Sequence, residues 1–139
     1  MKTYPFSALL GRMKYITRWS LMRSGRAESL SEHTADTALL AHTLCLIGQK
    51  CLCGGADLRP EMVATAALYH DAPEILTGDM PTPVKYKNDA LRTAYKAVEQ
   101  ESARLMASLQ PEALRDETEQ FLTGRVLNDA ERKILKAAD

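Results

Sequence analysis

The chain has 139 residues, 45% hydrophobic and 26% charged, and its eighteen basic and eighteen acidic side chains leave no formal net charge. That length suits one domain with a real core, against a prior of about 150 residues per domain. The charge balance offers no cationic surplus to displace phosphate counterions. No apolar run reaches the roughly 18 residues of a membrane span, so neither a nucleic-acid polymer nor a membrane is the expected partner.

The first elements read as helical. Phe6, Leu9, Leu10 and Met13 share one face of a first helix ending near Ile16. Residues 17–30 carry Gly25 and scattered charges without a stripe, and read as a loop. Ser29 followed by Glu32 is a capping box, opening a second helix that runs to about Cys51 and stops at Gly54-Gly55. Pro60 suits the first turn of a third helix with Met62, Val63, Ala66 and Ala67 inward, ending near Asp71 because Pro73 disfavours helix at Ala72. Thr77 to Pro83 is dense in turn formers. A long helix follows from Asp89 to about Leu109, showing Leu91, Tyr95, Val98, Leu105 and Met106 among charges. Pro111 opens another helix through Leu122, and Asn128 with Glu131 caps a last one reaching Asp139. Tyr4, Tyr15, Tyr86 and Tyr95 read as helix packing. No strand alternation, repeat or linker interrupts this pattern, so the expected fold is all-α, one domain over residues 1–139.

The N-terminus mixes charged and apolar groups too evenly for a signal peptide. Three cysteines, with a C-x-C at Cys51 and Cys53, supply neither a disulfide framework nor a second zinc pair. Reduced thiols in a cytoplasmic protein are expected.

Histidine is scarce: His33, His42 and His70. His70 and Asp71 sit together at the inferred end of the third helix, where Pro73 lets both reach one point. His42, nine residues after His33, faces the other side of its helix. Imidazole with carboxylate is the ligand mix of catalytic divalent-metal centres. A lone His-Asp pair arises by chance, but Glu74 follows three residues after Asp71, and Asp79 stands in the stiff turn beyond. Acids so close repel unless a cation is present. There is no Gly-rich phosphate loop and no Gly-x-Ser-x-Gly elbow.

These stretches resemble the HD-domain phosphohydrolases, whose pattern of His, His-Asp and a distant Asp reads here as His33, His70-Asp71 and Asp139. Arg18-Trp19, Ser31-Glu32-His33, Tyr69 to Glu74 and Thr77 to Lys85 are similar to the YfbR-type 5'-deoxynucleotidase branch, in order along the whole chain. The resemblance implies an HD-type helical bundle and a cytosolic homodimer. It also implies metal-dependent release of phosphate from deoxyribonucleoside 5'-monophosphates. Members of that branch continue for several helices past the last ligand, so a C-terminally truncated bundle is expected, with Asp139 on a fraying end beside its own α-carboxylate.

Four protein ligands would close a tetrahedral zinc site, so catalysis favours an ion that accepts five or six, such as cobalt or manganese. Glu74 is expected to orient or deprotonate the attacking water and Asp79 to protonate the leaving 5'-oxygen, with the reverse order open. Arg18 is the candidate phosphate clamp, with Lys85 assisting. Trp19 is either a buried packing residue or a wall against the sugar that excludes a 2'-hydroxyl. Glu32 is foremost a helix cap. Two other functions stay open: a phosphodiesterase or nucleotide pyrophosphohydrolase on the same metal site, and a non-catalytic helical module binding nucleotide, metal or a protein.

Overall fold

The computed structural model describes residues 3–52 and 57–139. Short α1 (Phe6–Leu10) passes directly into a turn of 3₁₀ helix, Gly11–Tyr15, so the expected single first helix tightens at Gly11. After the loop comes α2 (Leu30–Cys51), the spine of the fold, packed against α3 (Pro60–Tyr69) and α8 (Asp129–Ala138). Between them lie one-turn α4 (Glu74–Thr77) and α5 (Thr82–Lys85), then α6 (Asp89–Ser108) and α7 (Glu112–Leu122) as an antiparallel pair. Among the described residues the only β feature is one bridge, Thr17 to Ser29, which closes the loop before α2. The all-α fold is as expected.

Local chemistry sets the helix ends. The Ser29 hydroxyl accepts from Glu32 N–H at 3.2 Å while the Glu32 carboxylate accepts from Ser29 N–H at 2.9 Å. Asn128 and Glu131 repeat the arrangement at α8. The Gly54-Gly55 terminator expected for α2, and Cys53 of the C-x-C, lie outside the described residues. Cys45 and Cys51 are free thiols. The stretch from Thr77 to Pro83 is more helical than its composition suggests. Pro83 falls in the first turn of α5, where a missing N–H costs nothing, and Gly78 turns the chain at φ 73° after α4.

Two apolar clusters form the core. One gathers Phe6, Met13, Leu30, Ala72, Met106 and Leu122; the other joins Ala41, Cys45, Val63, Ala66 and Leu127. Small residues let α2 and α3 approach closely: a methyl group added to Gly48 would stand 2.7 Å from Leu58 Cδ1. Each of α2 and the α3 segment contributes to both clusters, Leu30 and Ala41 from one, Ala72 and Ala66 from the other. His33 and His70 fall between those pairs, which puts polar side chains on the seam where the apolar clusters meet.

One packing expectation fails in part. Of the four tyrosines read as packing, Tyr95 is buried, whereas Tyr4, Tyr15 and Tyr86 are exposed. On α6 it is Tyr95, Ser102, Ala103, Met106 and Ala107 that turn inward, leaving Val98 and Leu105 exposed. The small residues permit close contact with α7, and a hydropathy stripe does not register that.

Candidate metal centre

Each centre residue is delivered by a different local device. His33 lies one turn inside α2, held in register by the capping box. His70 is the residue that ends α3, and Asp71 follows in the turn that Pro73 forces. Asp139 ends α8, its N–H bonded to the Leu135 carbonyl at 3.0 Å. Near the other end of α8 the wholly buried Glu131 accepts from the backbone N–H and guanidinium of Arg59, just before α3, at 2.6–3.0 Å. That lock ties α8 to the α3 side of the bundle and so aims Asp139 at the two histidines.

The four residues converge. One ligand atom from each of His33, His70, Asp71 and Asp139 lies within 4.8 Å of all the others. His33 Nε2 is 2.8 Å from Asp139 Oδ1 and 3.5 Å from Asp71 Oδ2, and His70 Nε2 is 3.3 Å from Asp71 Oδ1 and 3.4 Å from Asp139 Oδ1. His70 Nδ1–H donates to the Ala67 carbonyl at 2.6 Å, which turns the Nε2 lone pair inward. That Nε2 is buried without a hydrogen-bond partner, as is Glu74 Oε2. Orphaned buried donors and acceptors are costly unless something satisfies them. Two imidazoles and two carboxylates with an orphaned lone pair fit a divalent transition cation.

The electrostatics agree. The hydrogen bond to His33 and the closeness of the His70 imidazole hold the Asp139 carboxyl far below its ordinary range. Burial pushes Asp71 up, its nearest charges partly cancelling. Burial works against a charged His70, but Asp139, Asp71 and the Ala67 carbonyl outweigh it and raise the imidazole. Glu74 is pushed up to about 8, by burial first and then by the neighbouring charges of Asp71 and Asp79.

The remaining expected residues stand around this centre in two groups. A cleft of about 630 Å³ opens from His70, Glu74 and Asp139, with Lys96, Arg104 and Lys136 among its lining. Arg18 and Trp19 line a second cleft of about 620 Å³ together with Glu28 and Asp36. Arg18 pairs with Glu28 at 2.7 Å, leaving its buried Nε unpartnered. Trp19 is half-buried at φ 58°, a left-handed backbone that a bulky residue adopts only under constraint, and its N–H donates to Asp79 Oδ2 at 2.6 Å. Lys85 is paired with Glu99 and lies 4.7 Å above the Tyr95 ring. Glu32 caps α2 and also takes Arg26 at 3.0 Å. His42 stays outside the centre. Sequence reasoning missed Glu28, whose Oε2 is 3.9 Å from His33 Nδ1 and joins that imidazole to Arg18. It missed the Ala67 carbonyl and the Arg59–Glu131 lock as well. None of these carries a motif.

Residues 5–139 match the family model described as 5'-deoxynucleotidase YfbR-like. A 5'-deoxynucleotidase of Vibrio atlanticus is 45% identical over all 139 residues, which span 71% of its length. The 5'-deoxynucleotidase YfbR of Escherichia coli K12 is 41% identical across the whole chain and 69% of its own. An HD-domain phosphohydrolase from Listeria innocua superposes with a TM-score of 0.82 at 24% identity, over 96% of this chain and 62% of that one.

Proposed function

The chain belongs to the 5'-deoxynucleotidase YfbR-like family, and we propose that it hydrolyses deoxyribonucleoside 5'-monophosphates to deoxyribonucleoside and phosphate at the His33–His70–Asp71–Asp139 centre. The observation that carries the reading is the convergence of those four ligand atoms around the orphaned Nε2 of His70. His33, His70, Asp71 and Asp139 would hold a divalent cation, cobalt or manganese in keeping with their nitrogen and oxygen donors, which would supply Lewis acidity and lower the pKa of a water towards neutrality. Hydrolysis joins a water to phosphorus and breaks the bond to the 5'-oxygen, so one group takes a proton and another gives one. Glu74 takes it. Its proton affinity, raised to near neutrality by burial first and then by Asp71 and Asp79, suits the task. Asp79 gives the proton to the leaving oxygen, with Oδ2 held by Trp19 N–H and Oδ1 left for the substrate.

Arg18 meets the phosphate through its guanidinium, braced by Glu28, and Lys85 adds positive charge from the α5 side. Trp19 stands as a wall beside the sugar and favours deoxyribose by excluding a 2'-hydroxyl. The protein acts in the cytoplasm as a homodimer; no helix of the described residues is long and apolar enough to cross a membrane. The test is phosphate release from a panel of deoxyribo- and ribonucleoside 5'-monophosphates, cyclic nucleotides and triphosphates with added Mn²⁺ or Co²⁺. Deoxyribonucleoside monophosphates are the preferred class, and His70→Ala or Asp71→Ala abolishes turnover. Full activity in either variant, or preference for a cyclic or polyphosphorylated substrate, overturns the assignment.

A further inference from the structure

Asp79 leaves a turn whose backbone is unusual. Gly78, the residue before it, sits at φ 73° and ψ 162°, a region open in practice only to glycine. Its N–H donates to the Glu74 carbonyl at 2.7 Å and closes α4. Among the described residues its own carbonyl is met by two hydroxyls and by no backbone N–H. Tyr95 donates to it at 3.1 Å and Thr77 at 3.0 Å, with the two hydroxyl oxygens 3.3 Å apart. Thr77 belongs to the same short stretch of chain. Tyr95 comes from α6 and brings its constraint from another element.

The Gly78 carbonyl and the Asp79 nitrogen share one planar peptide unit. A hydroxyl that fixes the carbonyl therefore fixes the plane from which Asp79 departs. Asp79 is then held at two points. Tyr95 acts on its backbone from α6, and Trp19 N–H takes its Oδ2 at 2.6 Å from the loop before α2. These contacts cross 17 and 60 residues, so neither belongs to the turn itself. Tyr95 is only 7% exposed, with Lys85 Nζ 4.7 Å from the centre of its ring, and this packing sets the direction of the hydroxyl. Phenylalanine would fill the same space, so packing explains the ring and leaves the hydroxyl unexplained.

We propose that Tyr95 is a positioning residue for Asp79, its hydroxyl holding the Gly78–Asp79 peptide so that the free carboxylate oxygen meets the substrate. The inference rests on Asp79 as the proton donor to the leaving 5'-oxygen and deepens that reading. A displacement of about 1 Å costs a positioned group on the order of 10²-fold; losing one of two hydroxyls costs less, about tenfold.

Steady-state kinetics of the metal-loaded wild type, Tyr95→Phe, Asp79→Asn and the double variant test this, with a deoxyribonucleoside 5'-monophosphate and an aryl phosphate. Tyr95→Phe lowers kcat on the nucleotide about tenfold with KM nearly unchanged, and leaves the aryl phosphate close to wild type. In the Asp79→Asn background the same change costs nothing further, because the group it positions is gone. A wild-type kcat in Tyr95→Phe overturns the proposal. So does an equal loss with and without Asp79, which would make the hydroxyl a support of the fold alone. The reading beneath it fails separately. If Asp79→Asn is impaired equally on both substrates while Tyr95→Phe stays silent in that background, Asp79 is not the acid and Tyr95 still positions it.

Discussion

At the residue scale the centre is built from groups whose ordinary chemistry has been displaced. Glu74 is the clearest. Its carboxyl binds its proton up to about 8 when folded against 4.5 when free, so between those values the folded chain holds a proton that the unfolded chain has lost. Stability of the metal-free protein therefore falls as pH rises through that window, by up to about 1.4 kcal/mol per pH unit. Glu74→Gln removes the effect: thermal melts of metal-free protein show the variant more stable than wild type at pH 9 and close to it at pH 5. A pH-independent difference would show that Glu74 ionises normally. The division of labour with Asp79 has its own test. Asp79→Asn lowers turnover of a deoxyribonucleoside monophosphate by 10²–10⁴-fold, the usual worth of a positioned acid. An aryl phosphate, whose leaving group needs no proton, regains most of that loss. Glu74→Gln recovers with neither substrate, and rescue of Glu74→Gln by the aryl ester would exchange the two roles. His70-Asp71, Glu74 and Asp79 were legible because four chemistry-bearing residues fall within ten positions. Glu28 was not, since only the loop closed by the Thr17–Ser29 bridge carries it to His33.

At the scale of elements, the helix ends were the most readable feature. Both capping boxes stand where Ser29-Glu32 and Asn128-Glu131 put them, because a cap is a contact across three residues. The second duty of Glu131 spans 72 residues and leaves no local trace. Its carboxylate, wholly buried, caps its own helix and neutralises Arg59, whose hydrogen bonds chiefly hold it below the usual carboxylate range. Glu131→Gln leaves the guanidinium without its counter-charge. Because Arg59 is half exposed and can hydrate, the cost is that of the lost charged hydrogen bonds, roughly 1.5–3 kcal/mol, read as a lower denaturation midpoint. Because α8 carries Asp139, the same variant loses metal affinity in calorimetric titration, whereas a cap-only role would leave that affinity unchanged. The depressed folded pKa makes this contribution present above about pH 4.5 and lost as pH falls towards the folded value. The buried face of α6 is chosen by what α7 presents: Ala103 and Ala107 turn inward and Val98 and Leu105 stay exposed.

For the molecule as a whole, the centre joins segments from α2, α3 and α8, so an ion bound there staples the fold. At a hundred times its dissociation constant it adds about 2.7 kcal/mol, a Tm rise on the order of 5–10 °C that EDTA reverses. The rise is larger at pH 8 than at pH 6, because the raised His70 imidazole must give up its proton to bind metal. An EDTA-insensitive Tm at both values would show that no ion links the three segments. What the amino-acid sequence determined unaided is whatever short-range chemistry encodes: helical periodicity, caps, proline-set turns, and the clustering of His70, Asp71, Glu74 and Asp79. His33 and Asp139 entered through a family pattern, because nothing local connects residues 106 positions apart. Tertiary structure alone decided that their side chains meet, that Arg59 and Glu131 aim α8 at the centre, and that Tyr95 of α6 reaches the Gly78 carbonyl. Those outcomes depend on how rigid helices pack, and packing is a property of pairs of surfaces that no single stretch of chain contains.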